Sequence, residues 1–176
     1  MKKSLIAVAF AATSVLSVSN AFAAGGTVNF SGEILDSACT VDVASQNQSV
    51  ELGKYNKTEF TAPGSKTAAK DFNIVLKDCP ETVESATVRF DGTPEATNTS
   101  LLAIDSSVAG AATGVAINLM TADKVDLPLH GENGYSYALS STEDNTLKFY
   151  AQYQSTAAAV TAGPANSVAN FSVNYN

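Results

Sequence analysis

AGGTVNFSGEILDSAC, residues Ala24–Cys39, alternates along its length. Gly26, Val28, Phe30, Gly32 and Ile34 fall on one side, and Thr27, Asn29, Ser31 and Glu33 on the other. A period of two with one apolar side is the pattern of a β-strand with one buried face. Two glycines on that face are unusual, because glycine weakens a strand and brings no side chain to a core. The segment before it reads as a removable leader. Met1-Lys2-Lys3 is a short basic start, Leu5 to Val18 is mostly apolar but broken by Thr13, Ser14 and Ser17, and Ala21-Phe22-Ala23 is a small–x–small cleavage site. This is the order of a secretory signal peptide, expected to span residues 1–23. The apolar run is shorter than the roughly 20 continuous residues a membrane-spanning helix needs.

Cleavage after Ala23 would leave 153 residues, the size of one ordinary domain with a real core. The mature chain keeps eight basic residues against 17 acidic ones, a net charge of −9. That balance argues against nucleic acid and anionic membrane surfaces as partners. No later segment is apolar and long enough for direct membrane insertion. Cys39 and Cys79 are the two cysteines, and in an exported chain they most simply make one disulfide. The bridge would close a loop of about 40 residues, worth about 4 kcal/mol by chain entropy. A redox pair is the weaker alternative, since nothing resembles C-x-x-C.

The rest of the chain predicts an all-β protein. Asp71–Cys79 sets Phe72, Ile74 and Leu76 against Asn73, Val75 and Lys77. Ala86–Gly92 is a second strand ending at a turn-prone Asp-Gly. Gly114–Met120, Asn145–Gln154 and Ser167–Asn176 alternate in the same way, with Cys39–Val43 and Ser49–Tyr55 as shorter candidates. Loops rich in Gly, Ser, Thr, Asn and Ala separate them, and no window carries a helical apolar stripe. Short strands at this spacing suggest an immunoglobulin-type β-sandwich, without the Cys…Trp…Cys arrangement of antibody domains because the chain has no Trp. Alternation runs nearly to the last residue, so Phe171, Val173 and Tyr175 share a face. Strands at both ends need partners, in the same molecule or in the next one.

Chemistry is sparse. His130 in LPLHGENG is the only histidine and sits beside a Gly-rich turn, so no nucleophile–base pair can be assembled around it. Two thiols and one imidazole are too few for a closed zinc site. No G-x-S-x-G, Walker or H-E-x-x-H pattern occurs. The expectation is no catalytic residue, no metal and no cofactor. Asn-x-Ser/Thr triplets at Asn29, Asn47, Asn56, Asn98 and Asn170 read as chance in an Asn/Ser/Thr-rich chain.

Taken in order, GTVNFSGEILDSACTVD, DFNIVLKDC, LKFYAQY and AGPANSVANFSVNYN resemble the major structural pilins of chaperone–usher fimbriae, of the type 1 group. The resemblance covers nearly the whole mature chain. It implies an incomplete immunoglobulin-like β-sandwich that lacks its last strand and is completed by donor-strand complementation from another chain. Residues 24–35 would be an N-terminal extension acting as the donor strand, and residues 36–176 the pilin domain. Val28 and Phe30 would be pegs, and Gly26 and Gly32 would lie where a side chain would clash with the acceptor. Phe171, Val173 and Tyr175 would line the acceptor groove, and the carboxylate of Asn176 would be the anchor for a chaperone. The implied partners are other copies of the chain, neighbouring pilins, a periplasmic chaperone and an outer-membrane usher. The implied product is a fimbria on the bacterial surface that supports adhesion. A minor fimbrial adaptor and a secreted carbohydrate-binding β-sandwich are the alternatives.

Overall fold

The computed structural model describes residues 26–32, 34, 38–131 and 134–176. The signal peptide expected at residues 1–23 lies outside the described residues, as do Glu33 and residues 35–37. The chain divides into two units, residues 1–34 and 35–176. In the first, the described residues have no regular secondary structure and are exposed.

The second unit is built from strands, and alternation explains them. They are β1 (Thr40–Val41), β2 (Lys70–Lys77), β3 (Ser85–Gly92), β4 (Leu102–Ala103), β5 (Val115–Met120), β6 (Tyr137–Ala138), β7 (Asn145–Ser155) and β8 (Ala169–Tyr175). One sheet has the order β1-β2-β7-β5-β4 and the other β6-β3-β8, with every pairing antiparallel. Alternate residues of β2, β3 and β7 make the core: Ile74, Leu76, Ala86, Val88, Phe90, Leu147, Phe149 and Ala151 are buried. Phe149 joins the sheets, stacking on Phe72 at 5.6 Å and meeting Phe90 edge-on at 5.3 Å.

Two expected strands fare differently. The strand expected at Cys39–Val43 stops at Val41, because Asp42 takes its side chain into a helix cap. Its carboxylate accepts the Ala44 N–H at 3.0 Å, and Val43–Gln46 forms one helical turn, α1. The turn still serves the edge of β2. The Val75 carbonyl accepts the Asp42 N–H at 2.9 Å, and the Val75 N–H is taken by the Ser45 hydroxyl at 2.9 Å. Further along, the Gln48 side-chain amide donates to the Asn73 carbonyl at 3.1 Å. Side chains thus replace a ladder, and the strand expected at Ser49–Tyr55 is an irregular segment with Leu52 buried.

Cys39 and Cys79 form a disulfide with their Cα atoms 4.2 Å apart. They flank the β1–β2 ladder, where Thr40 pairs with Lys77. Asp78 adopts φ +52°, a left-handed conformation that Asp tolerates better than most residues, and turns the chain so that Cys79 meets Cys39. The bridge therefore staples the start of the domain to its second strand.

Candidate acceptor groove

Among the described residues, β8 has a backbone ladder on one edge only. It pairs with β3 from Ala86↔Tyr175 to Gly92↔Ala169. Beyond its other edge lies a groove of about 760 Å³. One bank is the segment 165–171 that leads into β8. The other is the segment 45–52 that follows α1. The floor is the inner face of the large sheet, with Phe72 and Ile74 from β2, Ala151 and Tyr153 from β7, and Ile117 and Leu119 from β5. The groove opens directly onto the core.

The consequence is visible along β8. Ala169, Phe171, Val173 and Tyr175 point inward and pack against the core, yet each stays only half-buried. An inward face that a neighbouring strand would complete should be buried, as Val88 and Phe90 are on β3. Phe171 lines the groove directly and meets Phe90 at 6.3 Å between ring centres. Val173, opposite Val88, and Tyr175, opposite Ala86, continue the same face beyond the groove lining. Tyr175 donates its hydroxyl to the Cys39 carbonyl at 3.3 Å, tying the end of β8 to the disulfide. Burial pushes its phenol pKa upward, so it remains a donor.

Asn176 extends the ladder past β8. Its N–H donates to the Ser85 carbonyl at 2.9 Å, and its carbonyl accepts the Ser85 N–H at 3.2 Å. At the other end of β8 the backbones approach closely. A Cβ on Gly92 would lie 2.6 Å from Leu102 Cδ1 and 3.2 Å from the Val168 carbonyl, so glycine lets β3 reach the bank at that end. Val168 itself is 80% exposed, an apolar residue at the rim.

In the first unit, Val28 is 75% exposed and Phe30 93% exposed. Gly26 and Gly32 alternate with them, and a Cβ on either would meet nothing within 4 Å. Val28 and Phe30 are thus two apolar side chains left exposed in this segment.

Of the three residues expected to line an acceptor groove, Phe171 is in the lining of this one, while Val173 and Tyr175 lie outside it. The floor residues Ile117, Leu119 and Tyr153 read as ordinary core. The bank at 45–52 carried one signal, the apolar pair Val50 and Leu52, which pointed to a strand rather than to a strand's empty neighbour.

No group of described residues could hold a metal ion. His130 is structural: its ring nitrogens lie 2.8 Å from the Asp91 carboxylate and 2.9 Å from the Gly92 carbonyl, bracing the end of β3. Among the described residues no helix is long and apolar enough to cross a membrane.

Residues 28–176 match the fimbrial protein family. The chain is 41% identical over 155 residues to the fimbrial subunit type 1 of Salmonella typhimurium, covering 86% of this chain and 83% of that protein. It is 39% identical to the probable major fimbrial subunit LpfA of Escherichia coli O157:H7, covering 99% and 97%. Among solved structures it is similar to a chain of a chaperone–usher pilus, with a TM-score of 0.65, 25% identity, and coverage of 87% and 96%.

Proposed function

The chain belongs to the fimbrial protein family, and from that premise we propose that its groove receives the N-terminal extension of another copy. The chain is a structural subunit that polymerises into surface fimbriae, and not an enzyme. Its fold is the incomplete immunoglobulin-like sandwich of pilins. In our reading, residues 24–35 are the donor strand and residues 36–176 the domain that accepts one. Val28 and Phe30 fill the groove as pegs. Gly26 and Gly32 pass where the floor stands high.

The observation that carries this reading is the pairing of a one-sided β8 with an apolar groove open to the core. An added strand would give β8 its second ladder and cover the half-buried faces of Ala169 and Phe171. Backbone hydrogen bonds would supply affinity and the pegs specificity, as in β-augmentation generally. Before assembly an exposed slot of this kind is an aggregation hazard. A periplasmic chaperone that lends a strand, holds the Asn176 carboxylate and passes the subunit to an outer-membrane usher would remove that hazard.

The test uses a synthetic peptide of residues 24–35 mixed with a purified subunit that begins at residue 36, which keeps the groove and has no extension to compete for it. We expect a stable one-to-one complex with a raised unfolding temperature, since a ligand that binds only the folded state stabilises it. The same peptide carrying Phe30→Asp should not bind, because an unpaired carboxylate entering an apolar groove is strongly penalised. Equal binding of both peptides would overturn the reading.

A further inference from the structure

Tyr153 joins the floor of the groove to one of its banks. Its ring lies in the floor. Its hydroxyl donates to the Ala165 carbonyl at 2.9 Å, on the bank that leads into β8. Its ring also meets Tyr55 edge-on at 6.2 Å, outside the groove lining. Its backbone is held as well, since Tyr153 N–H donates to the Thr67 hydroxyl at 3.1 Å and its carbonyl accepts the Thr67 N–H at 3.0 Å. The bank at 165–168 has two other ties, Asp105 N–H to the Asn166 carbonyl and the Ser167 hydroxyl to the Ala103 carbonyl. Both of those run to the loop around β4. Only the Tyr153 hydroxyl ties this bank to the groove floor among the contacts described.

Resting on the donor-strand reading above, we propose that Tyr153 is a positioning residue for strand acceptance, its hydroxyl fixing the 165–168 bank against the groove floor before the extension of a second copy arrives. An apolar floor needs only the ring at this place; phenylalanine would fill the same volume. The hydroxyl adds a directional bond to a backbone carbonyl, which fixes a bank that otherwise rests on neighbouring loops. Holding the acceptor in its bound shape lowers the ordering cost of association. Burial, with Glu51 and Tyr55 nearby, pushes the Tyr153 phenol up from its ordinary value, so it stays protonated and donating at the pH of any exported environment.

Tyr153→Phe removes the tie and keeps the ring. The experiment measures the association rate of the residue 24–35 peptide with the subunit that begins at residue 36, for the wild-type sequence, Tyr153→Phe and Tyr150→Phe. Tyr150 is a control outside the groove. It also uses two shortened peptides, one lacking residues 24–27 and one lacking residues 32–35. We expect Tyr153→Phe to slow association of the full peptide by about two- to tenfold, the range one net hydrogen bond supplies. The Tyr150→Phe rate should match wild type. The deficit should vanish with the one shortened peptide that does not reach the Tyr153 end. A deficit equal for both shortened peptides, together with a lowered unfolding temperature, would make Tyr153 a plain stability residue and overturn the proposal. Equal rates for wild type and Tyr153→Phe would overturn it alone. No binding by wild type would overturn the donor-strand reading, and this inference with it.

Discussion

At the scale of single residues, the charged groups of this subunit hold edges rather than the core. Lys77 reaches Asp42 at 2.8 Å and Asp144 at 3.5 Å, so it ties β2 to the cap of α1 and to the turn before β7. Lys148 on β7 reaches Asp71 on β2 at 3.3 Å. The hydrogen bond from Lys77 holds the Asp42 carboxyl below its ordinary value, that from Lys148 does the same for Asp71, and that from His130 does the same for Asp91. A carboxylate with a depressed folded pKa binds its proton more readily when unfolded. Its contribution is therefore complete above the unfolded value of about 4 and disappears as pH falls through the lower folded value. The unfolding temperature should be flat from about pH 7 to 5 and fall steadily from about pH 4 to 2. Lys77→Met should make that acid fall shallower, because it removes the partner that depresses Asp42. Calorimetry over this range, with both variants in the same salt, checks it. An acid fall of unchanged depth in Lys77→Met would show that Asp42 draws its low pKa from elsewhere.

At the scale of elements, the long strands were legible and the short ones were not. β2, β3, β5, β7 and β8 all carry alternation over six residues or more, and each was expected within two residues of its observed bounds. β4 and β6 are two residues each, too short for any period to register. The strand expected at Cys39–Val43 failed beyond Val41 because a local cap outbid the ladder, and Asp is among the residues that compete in this way. The disulfide was legible from cysteine count and export alone. Its removal by Cys39→Ser with Cys79→Ser should cost about 4 kcal/mol by chain entropy, or about 10 °C in unfolding temperature for a chain of this size. It should also free the Cys39 carbonyl to move away from the Tyr175 hydroxyl, loosening the end of β8. β8 itself invites the sharper test. Val173→Asp places a charge opposite Val88, which is 1% exposed, and should cost about 2 kcal/mol or more. Co-purification of the subunit with the periplasmic chaperone proposed above reads the outcome. Recovery in wild-type amounts would show that strand acceptance does not depend on this face.

At the scale of the whole molecule, the two units have complementary defects. One exposes Val28 and Phe30, and the other has a core with an open side. A contact between the extension of one copy and the groove of the next uses two different surfaces, so it is heterologous and propagates as a fibre unless the rotation closes. The net charge is −7 for the whole sequence and −9 without residues 1–23, so like charges on every subunit oppose that association. In the donor-strand reading, strand pairing and apolar burial hold the filament against that repulsion. The groove was the least legible feature in the sequence, because its floor is made of residues that any sandwich would bury. What the sequence does carry is an alternating segment near its start, in which Val28 and Phe30 are exposed and no strand forms among the described residues. This polarity makes a prediction that no symmetric contact would share. A subunit lacking residues 24–35 keeps its groove and has no strand to donate. It can receive a neighbour but cannot be received by one, so it occupies a chain end and stops growth there. Co-expression of this truncation with the full-length subunit should shorten fimbriae in proportion to its share, while the fimbriae that form keep their normal width. Electron microscopy of the length distribution at graded expression gives the answer. If the truncated subunit enters filaments at internal positions without shortening them, subunits are joined through some surface other than the extension and the groove.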